Sequence, residues 1–154
     1  MKNTAKRRKL CTVLLLTNIA FIWGNSLLPG SVSGALSNWV GEILAMFFPG
    51  APTDPVAGRG LLRKLAHFTE FACLGGLLAW RLCMARRFAA LAVAGGFFVA
   101  CIDEGIQLFV PDRGPSFLDV LLDTAGTLLG MSVLVIGYTI HRKRQIPESE
   151  EQSL

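Results

Sequence analysis

The chain is 154 residues long, 52% apolar and only 17% charged, with a net charge of +4. Soluble domains average about 25% charged residues, so an ordinary water-soluble globule is excluded, and the length suits one domain. The basic residues form short clusters beside apolar runs, with no aromatic–basic interleaving, which points to membrane topology and away from nucleic acid.

The first predicted element covers residues 10–28, "LCTVLLLTNIAFIWGNSLL", behind the basic segment "KNTAKRRK". It is long enough to span and has no A-x-A-like cleavage site, so it reads as a retained span and not as a signal peptide. Residues 29–63 follow, rich in Gly, Pro and Ser at both ends. Inside them Leu36, Trp39, Val40, Ile43, Leu44, Phe47 and Phe48 recur at helical spacing, predicting an amphipathic helix over about 35–48. Ser33 or Ser37 can cap it and Pro49–Gly50 can stop it. Too short to cross, it lies either in the outer interface or across the mouth of a bundle. Three more spans are predicted at about 64–84, 88–110 and 117–140, each long enough if its polar residues face protein. The basic residues 1–9 and the polar tail 142–154, expected to be disordered at its end, flank the domain at 10–141. The fold class is all-α: a four-transmembrane-helix bundle with a short extracytoplasmic interfacial helix. Cys11, Cys73, Cys83 and Cys101 show no CxxC spacing and read as small packing residues.

Orientation follows from the basic residues. With the N-terminus inside, eleven fall in cytoplasmic segments (Lys2, Lys6–Lys9, Arg81, Arg86, Arg87 and Arg142–Arg144) and four outside: Arg59, Arg63, Lys64 and Arg113. That asymmetry places both termini in the cytoplasm.

Depth can then be compared between helices. Lys64, His67 and Glu70 occupy the first turns of the second span, Asp103, Glu104 and Gln107 the last turns of the third, and Asp119 and Asp123 the first turns of the fourth. All lie within roughly 10–12 Å of the outer surface at about 1.5 Å per residue. Apart from Arg81 at the cytoplasmic end of the second span, the inner halves of these spans carry no Asp, Glu, Lys, Arg or His. On the fourth span Asp119, Asp123, Gly126 and Gly130 form one stripe, whose glycines let another helix approach. The polar residues therefore predict a shared pocket opening outward, with Arg113, in the turn "VPDRGPS", placed to bridge carboxylates or hold an anion at its mouth.

The segments "NSLLPGSVSGALS", "KLAHFTEFACLGGLL" and "DEGIQLFVPDRGPSFLDVLLDTAGTLLG" carry the ordered motifs K-x-x-H, D-E-x-x-Q, P-x-R and S-x-x-D-x-x-x-D. In these the chain resembles the VanZ-like family of small bacterial membrane proteins, from about Asn25 to Gly130. The resemblance implies a helical domain of the bacterial cytoplasmic membrane and a link to teicoplanin resistance, but no agreed enzymatic activity. The matching positions are Lys64, His67, Asp103, Glu104, Gln107, Arg113, Ser116, Asp119 and Asp123; Arg63 stands where the family often has an acidic residue.

The leading functional expectation is binding of, or chemistry on, an amphiphilic envelope molecule: a membrane lipid, a lipid-linked cell-wall intermediate or a lipoglycopeptide. Lys64, Gln107, Arg113 and Ser116 are the ligand-binding candidates. His67, Glu70, Asp103, Glu104, Asp119 and Asp123 are the candidates for acid–base work, whether or not a reaction occurs. No resident cofactor is required, although His67, Glu70, Asp119 and Asp123 could hold a divalent metal. Two other readings compete. The polar set could be a network that only fixes helix packing, or part of an ion or proton path, which the aliphatic inner halves disfavour.

Overall fold

The computed structural model describes residues 2–47, 57–82 and 89–151, with side chains over 5–47, 60–81 and 90–142. It contains five α-helices: α1 (Lys2–Ser26), α2 (Gly30–Phe47), α3 (Ala57–Leu82), α4 (Ala89–Gln107) and α5 (Phe117–Glu151). There is no strand among the described residues. The Pro49–Gly50 stop, Cys83, Arg86 and Arg87 lie outside them.

Local chemistry sets the breaks. Pro29 has no N–H to continue α1 and restricts the residue before it, and the last turn closes with Leu27 N–H on the Trp23 carbonyl at 3.0 Å. The Pro29 carbonyl then accepts from Ser33 N–H at 3.0 Å, so α2 starts at Gly30, earlier than its apolar pattern suggested. Ser33 and Ser37 are consequently inside the helix, where the Ser37 hydroxyl donates to the Ser33 carbonyl. The chain turns by 108° between α1 and α2. Gly30 N–H donates to the Pro111 carbonyl at 3.1 Å, tying this corner to the α4–α5 turn. In that turn Asp112 takes a positive φ of 59°, a conformation Asp tolerates better than most residues. At the far end, the residues expected to be disordered continue α5 through Glu151.

Helices α3 and α5 form the principal pair, with α4 packed on both and α1 lying against α3 and α4. Ile22, Phe71, Leu74, Val99, Ala100 and Val120 make the buried core, supported by Leu15, Ile19, Trp23 and Leu78. Much of the outer surface is apolar, including Leu16, Phe21, Phe98, Leu118, Val133 and Ile136, which suits hydrocarbon and not water. Two of the four cysteines differ from the packing role expected: Cys11 is buried, but Cys73 and Cys101 are exposed on this surface.

By length and composition α4 (Ala90–Gln107) and α5 (Phe117–Arg142) can cross a membrane, and a third crossing is available if α1 and α2 form one broken span. Helix α3 is long enough at 26 residues, but it carries Arg59, Arg63, Lys64, Glu70 and Arg81.

Candidate functional site

The glycine stripe on α5 brings the polar residues together. A Cβ at Gly126 would stand 2.6 Å from the Phe68 carbonyl oxygen, and one at Gly130 would collide with the Ala72 carbonyl. Only glycine permits α3 and α5 to pass this closely. The stripe does face a neighbouring helix, as its spacing indicated, and that helix is α3. One turn further along, the same crossing sets Lys64 Nζ 2.9 Å from Asp119 Oδ1.

Around this crossing, α1, α3, α4 and α5 each contribute polar side chains at one end of the bundle. Asp103, Glu104, Gln107 and Asp123 are buried, with Asp103 0% and Asp123 1% exposed. Gln107 is the cross-brace: its Nε2 donates to Asp103 Oδ2 at 3.1 Å, Glu104 Oε1 at 3.2 Å and Ser26 Oγ at 3.4 Å. Ser26 Oγ donates to Asp103 Oδ2 at 2.8 Å, and Asn25 Nδ2 donates to Glu70 Oε1 at 2.7 Å. Fully buried and bonded to a carboxylate, Ser26 braces α1 against α4.

Asn25 and Ser26 were not among the residues singled out from sequence. Their signal was present as an adjacent polar pair at the end of an apolar run, "IWGNSLL". Such a pair also suits a plain span end, so only the tertiary contact distinguishes the two.

Ser116, a ligand-binding candidate, has its polar groups engaged by the protein. Its backbone N–H donates to Glu104 Oε2 at 2.6 Å, while its hydroxyl accepts from Asp119 N–H at 3.3 Å and caps α5. Arg113 does not bridge two carboxylates. Its Nη2 donates to the Asn25 carbonyl at 3.0 Å, and Nε and Nη1 have no hydrogen-bond partner among the described residues. Burial, with Arg63 close by, holds the Arg113 pKa below its ordinary value, although a guanidinium remains charged.

Two cavities meet at His67. The larger, about 140 Å³, has a polar wall of Asn25, Arg63, His67, Glu70 and Arg113 and an apolar wall including Leu28, Leu36, Val40 and Leu62. The smaller, about 10 Å³, lies between Lys64, His67, Glu104, Gln107, Asp119 and Asp123. Arg63, which replaces the acidic residue common in the resembling family, lines both.

Of the residues considered for a metal, His67 and Asp123 stand together with Asp103: one ligand atom of each lies within 4.8 Å of the other two. Glu70 is held by Asn25 and Asp119 by Lys64. His67 Nδ1 lies 3.9 Å from Asp103 Oδ2 and 4.0 Å from Glu70 Oε2, too far for hydrogen bonds but within reach of a bridging group. The arrangement can bind an anion at its arginines, and a water or proton at His67.

No curated protein and no solved structure matches the chain significantly. The model of the VanZ/LLP1 family matches residues 10–138, most of the chain, and its apolar helices agree with a membrane protein. The chain belongs to the VanZ/LLP1 family.

Proposed function

We propose that this is a four-span protein of the bacterial cytoplasmic membrane, with cytoplasmic termini, whose outward-opening pocket binds the anionic head of an amphiphilic envelope molecule. The observation that carries the reading is the Arg113 side of the larger cavity. A guanidinium with two nitrogens free of hydrogen bonds among the described residues lines a space that Leu28, Leu36, Val40 and Leu62 also line. A carboxylate or phosphate can accept from Nε or Nη1 together with the second hydrogen of Nη2 in a planar, paired contact, while an acyl chain lies along Leu36 and Val40 of α2.

The topology is supported by the asymmetry of eleven basic residues against four. Helix α3, at about 39 Å, is long enough to cross, and its His67 and Glu70 are turned into the bundle. Part of the polar set, Ser26–Asp103–Gln107–Glu104–Ser116, acts as bracing, which accounts for the packing reading without exhausting the site. Arg113, Arg63 and Lys64 supply the attraction for the ligand, and His67 is the residue placed to move a proton if bound ligand reacts.

Among amphiphiles, the resemblance to a teicoplanin-linked family favours a lipoglycopeptide or the lipid-linked intermediate it targets. Teicoplanin carries an acyl tail and vancomycin does not, so expression in a susceptible host should raise tolerance to teicoplanin selectively. Arg113→Ala, checked for equal abundance in the membrane, should remove the effect, and Arg113→Lys should restore only part, because a point charge cannot make the paired contact. Equal protection against both antibiotics, or full protection by Arg113→Ala, overturns the reading.

A further inference from the structure

Three helices bring together residues that carry buried polar atoms without partners. His67 Nδ1 on α3, Asp103 Oδ1 on α4 and Asp123 Oδ1 on α5 are buried and have no hydrogen-bond partner among the described residues. Both aspartates are essentially sealed from solvent. Ordinary polar packing does not leave such atoms orphaned, because a buried polar atom without a partner loses its hydrogen bonds to water and gains none in return, at a higher cost when charged.

Local cations do not resolve this. Lys64 is drawn to Asp119, and the one side-chain hydrogen bond Arg113 makes among the described residues goes to a carbonyl of α1. Glu70, Glu104 and Asp119 add further negative charge around the two buried aspartates. A second positive charge placed between the aspartates would offset the burial and supply the missing partner at once.

We propose that His67, Asp103 and Asp123 form a binding site for one divalent transition-series cation, of the Zn²⁺ or Mn²⁺ type. The donor set decides the class. One imidazole nitrogen with two carboxylate oxygens suits these ions better than Mg²⁺ or Ca²⁺, which favour all-oxygen shells. Spacing agrees: bonds of roughly 2.0–2.2 Å set neighbouring donors roughly 3–3.6 Å apart and opposed ones roughly 4–4.4 Å apart. The ligand atoms lie within 4.8 Å of one another, so the site closes by side-chain adjustments of under about an ångström.

The surrounding bonds fit a supporting shell. Ser26 and Gln107 both hold Asp103 through Oδ2, the oxygen 3.9 Å from His67 Nδ1, while Oδ1 has no hydrogen-bond partner among the described residues. Holding one carboxylate oxygen fixes the direction of the other, as outer partners do at metal centres. His67 lines both cavities, so the remaining coordination positions have space for water or for an anionic oxygen of a ligand entering beside Arg113. The site itself is independent of the amphiphile reading, since it is assembled from the chain alone.

The test uses untagged full-length protein in mild detergent, stripped of metal and titrated separately with Zn²⁺ and Mn²⁺. Bound metal is counted by elemental analysis after gel filtration, Mn²⁺ is followed by electron paramagnetic resonance, and thermal unfolding is recorded with and without ion. One equivalent per chain and a metal-dependent rise in melting temperature are expected. Asp123→Asn and His67→Gln should each weaken binding by at least about 100-fold, and Ser26→Ala by about 10–100-fold. A Cys73→Ser/Cys101→Ser variant, which removes the exposed thiols, should bind as the parent does. Should Asp123→Asn fail to fold, His67→Gln decides, because its Nδ1 makes no hydrogen bond to the described residues. Failure to saturate below about 100 μM, undiminished binding in His67→Gln, or loss of binding in the double cysteine variant overturns the site.

Discussion

Gly126→Ala tests whether the packing of α3 on α5 and the geometry of the site are one property. An alanine methyl at 126 would lie 2.6 Å from the Phe68 carbonyl oxygen, whereas ordinary contact begins at 3.4 Å. The obstacle is backbone and cannot swing aside, so the helices must part by the difference, 3.4 − 2.6 = 0.8 Å. A gap of about 0.5–1 Å forfeits a quarter to a half of the dispersion energy of every contact along the seam. Overpacking of this kind costs about 1–3 kcal/mol, a fall of about 2–12 °C in melting temperature for a chain of this size. Phe68 adjoins His67, and Gly126 is one turn from Asp123, so the same movement widens the His67–Asp123 gap. Opened from a spacing within 4.8 Å, the pair would no longer share one cation. Thermal unfolding in detergent and metal titration of the same preparations measure both effects, with Gly24→Ala as the control, since a methyl there meets nothing within 4 Å. A Gly126→Ala protein as stable as the parent, within about 1 °C, would refute the close crossing.

Other outcomes follow from single contacts. Ser26→Ala removes the 2.8 Å bond to Asp103 and should lower stability by about 0.6–1.7 kcal/mol, the range for hydrogen bonds between membrane helices, read by unfolding in detergent. Lys64→Met breaks a pair whose lysine is 46% exposed, so it should cost less than about 1 kcal/mol; a larger loss would mean the pair is more deeply desolvated than the structure places it. Cysteines introduced at Ser31, Arg86, Asp112 and Glu148 of an otherwise cysteine-free chain should label from outside, inside, outside and inside, and an external Glu148 would exclude the four-span arrangement.

The facing of the acidic residues on α5 was legible because helical periodicity fixes it. Asp119, Asp123, Gly126 and Gly130 fall on one stripe by spacing, and the structure lays that stripe on α3. The start of α2 was not legible, since the apolar pattern begins near Leu36 whereas the helix begins where Pro29 offers its carbonyl, a backbone event without an apolar signature. The contribution of α1 was missed for a related reason. Asn25 and Ser26 gain their meaning only when α1 comes to lie against α3 and α4, presenting them to Glu70 and Asp103.

Partner choice within the cluster was the least legible part, and the reason is energetic. Four carboxylates (Glu70, Glu104, Asp119 and Asp123) and three cations (Arg63, Lys64 and Arg113) line the two cavities, with Asp103 buried behind His67, and charge alone allows many pairings. Coulomb energy falls only as the inverse of distance, so alternative pairings differ little in that term. Hydrogen bonds, by contrast, weaken steeply with length and angle, so backbone offsets of about an ångström decide which pairs form. Those offsets come from contacts with no charge in them: glycine against a carbonyl at the α3–α5 crossing, and Gly30 N–H on Pro111 at the α1–α2 corner. The same offsets leave His67, Asp103 and Asp123 facing one another while Ser26, Asn25 and Lys64 occupy the neighbouring groups. Close helix packing thus specifies which polar atoms remain available for a ligand, and substitutions far from any charge can change what the pocket binds.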